Sequence, residues 1–412
     1  MVGAGVLAMP AEVAADAGRF SLAVIFAAFV VVGLLALSLA EVASRYDVTG
    51  GPQVYAQLTF GPLTGFTVGW LFTVSRLTST ALITMVGLDY AAALWPALGV
   101  SGPRAVVATV AMLLLTVVNL RGVTGGAGVG NVLTVAKMLP LGLIAIAGLA
   151  YAGWNDLPTA EPRQPDGLWR ALDVALFACV GFDVATTVAG EMRDPRRDLP
   201  ISILGGLAIA CLLYLLVMLA CFGVLPNTAA SKLPLADVST RLIGPAGATL
   251  MAIAAVVSCA GGLAVQMLVT PRNLFALGEA GDLPRTVAAV HRGFRTPHVA
   301  IIACATISWL LAITGTFQYL LALFVISRML AHGSTAAALI VLRRREGPAP
   351  LPVPGGVTIS LLAVAACVVI VATQPWQAVR DVAIVMAVGF AIRAVVRRHR
   401  RDAQSGQTRP SS

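Results

Sequence analysis

Charge is what this sequence has least of. Only 11% of its 412 residues are Asp, Glu, Lys or Arg, against about 25% in a typical soluble domain. A globule of this size with so few charges would turn an apolar surface to water and aggregate. That excludes a water-soluble enzyme, a nucleic-acid-binding protein and a disordered chain. Ligand-spaced cysteines are lacking too. Cys179, Cys211, Cys221, Cys259, Cys304 and Cys367 all sit in apolar runs, so they read as small packing residues, with neither a disulfide framework nor a metal site. The chain has no His-Glu-x-x-His, Gly-x-Ser-x-Gly, Gly-x-Gly-Asp or Walker A sequence. Intramembrane proteolysis and ATP-driven pumping are therefore without machinery, and no cofactor is called for. The Gly-rich start lacks the basic region of a cleavable signal peptide.

What is present is hydrocarbon. Hydrophobic residues make up 58% of the chain and mean hydropathy is +0.88. The solvent of this chain is mostly lipid. A span needs about 20 apolar residues as a helix, and apolar segments fall at 1–17, 21–44, 63–95, 104–120, 130–152, 168–191, 201–224, 243–277, 297–315, 318–342, 357–374 and 379–397. These predict about twelve transmembrane helices, since unpaired backbone cannot be left in lipid. No ten-residue alternation suggests a β-barrel. The net charge of +9 comes from arginines in short loops and at the C-terminus. Arg45, Arg121, Arg272, Arg285 and Arg343 to Arg345 fall on one side, with Arg393 to Arg401. That side is expected to be cytoplasmic, with both termini on it. The tail 398–412 reads as disordered.

Two of the segments look interrupted. The first opens Met1-Val-Gly-Ala-Gly-Val-Leu-Ala-Met-Pro10, and the sixth contains Phe177-Ala-Cys-Val-Gly-Phe-Asp183. Glycine disfavours a continuous helix. Gly-interrupted segments at matching places in two halves point to a secondary transporter's site. A broken helix offers N–H groups at one end, which suit a carboxylate, and C=O groups at the other, which suit an ammonium. A close helix crossing explains a membrane Gly-x-Gly equally well.

Gly3-Ala-Gly-Val-Leu-Ala-Met-Pro10 resembles the helix-1 signature of the amino acid–polyamine–organocation (APC) superfamily of permeases. Gly50-Gly-Pro-Gln-Val-Tyr55, with Phe60-Gly61 and Gly69-Trp70, resembles its loop between helices 2 and 3. Phe177 to Asp183 followed by Glu191-Met-Arg-Asp-Pro-Arg-Arg-Asp-Leu-Pro200 is similar to its helix-6 motif and the loop after it. Arg272-Asn-Leu-Phe-Ala-Leu-Gly-Glu-Ala-Gly-Asp-Leu-Pro284 resembles the end of helix 8. The match runs in order from Val2 to about Arg345.

The resemblance implies an all-α membrane protein with a LeuT-type five-plus-five inverted repeat and two C-terminal helices. The repeats would be 1–152 and 153–342, the added pair 343–397. It implies that Gly3, Ala4, Gly5 and Val6 receive the substrate carboxylate and that Cys179, Val180 and Gly181 receive its amino group. Phe177 would be an aromatic gate, with Phe182 and Asp183 flanking the break. The expected partners are an amino acid, a proton and the lipid bilayer of the plasma membrane, with no nucleic acid. The expected function is secondary amino acid transport, by proton symport or exchange. A non-transporting amino acid sensor is the rival. Asp183 is the main acid expected near the pocket, so a neutral substrate is favoured over a cationic one or a polyamine.

A charge deep in a span is functional by default. Lys137, in the fifth segment, matches the helix-5 lysine of proton-coupled family members, and a fixed ion pair is its bland alternative. Arg76 is expected to pair with an acid on helix 6 or 8, Arg328 to be a structural pair and His332 a packed polar residue. Glu41 and Glu191 are expected to meet arginines of an inner gate. The family places a half-helix before the glycine motif, which here follows Met1 and Val2. The first helix thus reads as truncated, either because the start lies upstream or because the form is inactive.

Overall fold

Uncharged apolar runs must satisfy their own backbone hydrogen bonds, and every regular element among the described residues is helical. The computed structural model describes residues 3–46, 51–122, 127–152, 162, 164–179, 181–192 and 194–407. In chain order the helices are α1 (Ala4–Ala17), α2 (Ser21–Ala43), α3 (Gly51–Phe60), α4 (Pro62–Leu94) and α5 (Ser101–Arg121). They continue as α6 (Ala127–Tyr151), α7 (Gly167–Cys179), α8 (Pro195–Val224), α9 (Pro234–Ile243) and α10 (Pro245–Glu279). The last four are α11 (His298–Thr314), α12 (Phe317–Glu346), α13 (Gly356–Ala372) and α14 (Trp376–Gln407). Proline opens α4, α8, α9 and α10, where its missing N–H costs nothing and its fixed φ suits the first turn.

α4 is the central post, packed against α10 and α12 and flanked by α3 and α11. α1 packs on α7, α2 on α7, α8 and α12, and α6 on α8 and α10. Small residues set the closest crossings, as in a bilayer they must. A Cβ at Gly148 of α6 would meet Ala220 of α8 at 2.6 Å. Around this core the outer faces stay apolar: Leu113, Leu114, Ile146, Ile209 and Val368 are each 59% or more exposed. That would be a liability in water and is a lipid face in a membrane.

Six helical stretches among the described residues are long and apolar enough to cross a bilayer, the first being Ala4–Ala43 taken together. α13 and α14, bent by 111°, add a seventh if paired. Met138–Tyr151 and His298–Thr314 are shorter apolar helices. The expected count of twelve differs because this count joins α1 to α2 across the 3-10 turn Gly18–Phe20, omits the divided sixth segment and the two shorter helices, and takes α13 and α14 as one span. Two elements went unforeseen, α3 and α9. Each has 10 residues, half a span, and so falls below the length that marks a membrane helix. α14 runs to Gln407, past the expected end of the last span.

The two ends of the bundle differ. At the arginine-rich end, Glu41 of α2 is fully buried and held by Arg343 of α12, Nε to Oε1 and Nη2 to Oε2, both 2.6 Å. The Val353 N–H adds a third bond to Oε2 at 2.9 Å. Asp282 is gripped by Arg393 at 2.7 Å and Arg397 at 2.9 Å, which fastens α14. α3 caps this end, with Tyr55 fully buried and stacked on Tyr46 at 5.8 Å. Burial pushes the Tyr55 hydroxyl up to about 12, so it stays a neutral phenol. The opposite end is held by Arg104 with Asp89 at 2.6 Å and Tyr319 with Asp381 at 2.6 Å.

Candidate functional site

The helix break expected in the sixth segment is present. α7 ends at Cys179, Gly181 has φ +125°, and a 3-10 segment runs from Phe182 to Glu191. That φ is open to glycine and strained for other residues. Val180, expected to take part in the site, lies outside the described residues. Of the carbonyls near the break, Ala178 O accepts from the Tyr214 hydroxyl at 3.0 Å and Gly181 O from the Val184 N–H at 3.3 Å.

The first segment differs from expectation. α1 is a continuous helix from Ala4, with Gly3 as an N-cap that makes no side-chain bond. The N–H groups of Ala4, Gly5 and Val6 therefore have no intrahelical acceptor among the described residues. Its ladder is interrupted at Pro10, inside the helix: with no N–H there, the Val6 carbonyl loses its usual donor. The Leu7 carbonyl accepts from the buried Tyr90 hydroxyl of α4 at 3.1 Å.

Gly5 joins the two segments. A Cβ there would collide with the Ala178 backbone. The close-crossing and site readings of this glycine are thus compatible: lack of a side chain seats the start of α1 against the end of α7. Ala4, Gly5, Val6, Phe177, Cys179, Phe182 and Asp183 are all buried, and Gly3 and Gly181 half-buried.

Phe177 meets Phe324 edge-on at 5.2 Å and Phe317 at 6.5 Å, both on α12. Phe317 also lines a cavity of about 760 Å³ with Leu7, Glu12, Asp89, Tyr90, Arg104 and Lys232. This vestibule lies at the end opposite the arginine-rich one. Phe317 of its wall touches Phe177, which precedes Gly181 by four residues.

Beyond the break lies a buried charge cluster. Asp183 Oδ2 is 3.2 Å from Arg76 Nη2 of α4 and 3.1 Å from Arg328 Nη1 of α12. Arg76 also donates to Gln266 Oε1 of α10 at 3.4 Å. The Arg328 guanidinium lies 5.0 Å from the Phe72 ring and 5.6 Å from Phe324, as cation–π contacts. His332 stacks on Phe182 at 4.8 Å and meets Phe72 edge-on at 5.4 Å. The expected partner of Arg76 on helix 6 is thus Asp183, which also pairs Arg328, and His332 is packed among aromatics. Lys137 falls within α6, but its side chain, like that of Glu191, lies outside the described residues. No group of His, Cys, Asp or Glu that could hold a metal occurs among the described residues.

Sequence reading missed Phe317 and Phe324 as partners of Phe177. Their signal was a spacing of seven on one helix, which puts both on one face. The interrupted end of α7, the start of α1 and the aromatic cluster of Phe177, Phe317 and Phe324 thus lie together, next to the cavity that Phe317 lines.

The family model described as amino acid permease matches residues 1–392. The chain belongs to the amino acid permease family. This permease is similar, at 28% identity over 425 residues, to an uncharacterized transporter of Mycobacterium tuberculosis, covering 100% of this chain and 92% of the relative. It is 30% identical to the serine/threonine exchanger SteT of Bacillus subtilis, covering 76% of this chain and 74% of the relative. It is 25% identical to the branched-chain amino acid permease BcaP of the same organism, covering 87% and 81%. Family and relatives are transporters, not enzymes, and the permease is a multi-pass membrane protein.

Proposed function

We propose that this permease is a secondary active amino acid transporter that works by alternating access. Its substrate's carboxylate meets the N–H groups of Gly3, Ala4, Gly5 and Val6, and its amino group meets the carbonyls of Cys179, Val180 and Gly181. One observation carries the reading: the break at Gly181 lies beside the start of α1, because Gly5 lets the two helices touch at Ala178. A zwitterion needs both dipole ends at one place.

The scaffold follows as a LeuT-type five-plus-five repeat, residues 1–152 and 153–342, with 343–397 as an added helix pair. The arginine-rich end is cytoplasmic, in a plasma membrane. The vestibule beside Phe317 then faces outward, Phe177 is the gate beneath it, and the joints of Asp183 and Glu41 close the inner side. Movement of the 182–191 segment away from α4 and α12 would open the inner path. Lys137 serves as the proton-coupling group, on its position in α6. A Lys137→Ala variant is expected to bind substrate and lose pH-driven uptake; unchanged pH-driven uptake would sink that role.

Proteoliposome flux with labelled amino acids tests the whole reading. Accumulation or counterflow of an amino acid is expected. Binding without either would make the protein a sensor.

A further inference from the structure

The cluster around Asp183 carries a surplus of positive charge. Two guanidinium groups, Arg76 at 4% exposure and Arg328 at 3%, face one carboxylate at 1%. The other acids that are buried among the described residues are engaged elsewhere: Glu41 with Arg343, Asp173 with Gln374 and Asp282 with Arg393. Among the described residues, nothing supplies the second negative charge. A buried cation left uncompensated is strongly destabilising, the more so in a membrane.

The donor set is also incompletely used. Both arginines bond the same oxygen, Asp183 Oδ2, while Oδ1 has no hydrogen-bond partner. Arg328 Nε is buried and unpartnered, as are both ring nitrogens of His332. An arginine fork with an unused Nε edge is shaped for a carboxylate.

Place and charge together name a ligand class. Asp183 stands two residues from Gly181, and Arg328 one turn from Phe324, the ring that meets Phe177. A neutral amino acid brings one carboxylate, and the start of α1 takes it. A side chain that is itself anionic meets the surplus charge. We infer that the permease takes an acidic amino acid, its side-chain carboxylate seated on Arg328 and Arg76. The inference rests on the transport reading above and adds the substrate class to it. A cationic side chain is disfavoured, because Asp183 is already shared by two arginines.

The test compares glutamate and aspartate with glutamine and asparagine, which match them in shape and differ in charge. Half-saturation is measured with wild-type protein in proteoliposomes, in chloride and in gluconate buffer. The acids are expected to be preferred by about tenfold or more, the scale of one charge-assisted pairing. Arg328→Gln should bring the ratio towards one, and Arg328→Lys, which loses the fork but keeps the charge, should lower it by less. The wild-type panel decides even if a variant fails to fold. Amides transported as well as the acids, or neutral amino acids alone transported, would overturn the inference and leave the transport reading standing. A ratio near one with stabilisation by chloride would give the surplus charge to an inorganic anion and equally overturn it. No amino acid bound or moved would overturn both.

Discussion

Gly5→Ala is the smallest change that tests the crossing of α1 and α7. The new Cβ would lie 2.8 Å from Ala178 Cβ and 3.0 Å from Ala178 N, and nearer still to its Cα. Non-bonded carbons settle at about 3.5–4.0 Å, so the helices must part by about 1 Å. Overpacking of this kind costs about 1–3 kcal/mol of stability. The effect on binding is separate. A ligand that spans both helices would find one hydrogen bond stretched from about 2.9 Å to well beyond the limit of about 3.2 Å. Losing a bond to a charged group costs about 1.5–3 kcal/mol, which is about 10- to 100-fold in affinity. The assay is substrate affinity in nanodiscs beside a thermal melt. Gly3→Ala is the control, because a Cβ there meets nothing within 4 Å and should leave both readings near wild type. Adding Ala178→Gly to Gly5→Ala removes one colliding atom and leaves the backbone contact, so partial recovery is expected. Wild-type affinity and melting for Gly5→Ala would refute the claim that this crossing builds the site.

Asp183→Asn should be far more harmful than an average surface change, because it leaves two buried guanidinium groups with no anion; a loss of about 3–5 kcal/mol, read as poor yield or a lowered melt, is expected. Phe177→Ala should keep the fold and raise half-saturation several-fold, whereas Phe177→Tyr should stay near wild type, as measured by uptake kinetics. Glu41→Gln should lower thermal stability by a similar amount to Asp183→Asn while leaving substrate selectivity unchanged, which a competition panel checks.

How much of this was legible beforehand depends on what each feature needs. Apolar length alone marks α4, α8, α10 and α12, because a span has no other way to satisfy its backbone. The break at Gly181 was legible because glycine there adds to a run of weak helix formers, Cys179, Val180, Phe182 and Asp183. The uninterrupted start of α1 was not: Gly3 and Gly5 weaken a helix equally on paper, but Gly3 is its cap and Gly5 its contact with Ala178. The partners of Arg76 and Arg328 were open for a different reason. A buried charge announces that it has a partner, and only the tertiary fold decides which of several acids it is. Both converge on Asp183, 107 and 145 residues away in sequence.

The two buried acid–arginine joints of this protein are built differently, and the difference bears on which of them opens. Glu41 uses both oxygens, each at 2.6 Å from Arg343, and adds a backbone N–H from Val353. Asp183 uses one oxygen for two arginines, at 3.2 and 3.1 Å, longer than the roughly 2.7–2.9 Å of a strong charge-assisted bond. Glu41 ties α2 to α12 and to the chain after it. Asp183 ties the 3-10 segment after the break to α4 and α12. In the proposed alternating-access cycle some joint must part in low dielectric, where separating a tight bidentate pair costs the most. The longer, one-oxygen joint is the cheaper to exchange, above all if an arriving carboxylate already holds the unused Nε edge of Arg328. Substrate would then lower the cost of the movement that carries it, which is the differential affinity between two states that a ligand-driven transition requires.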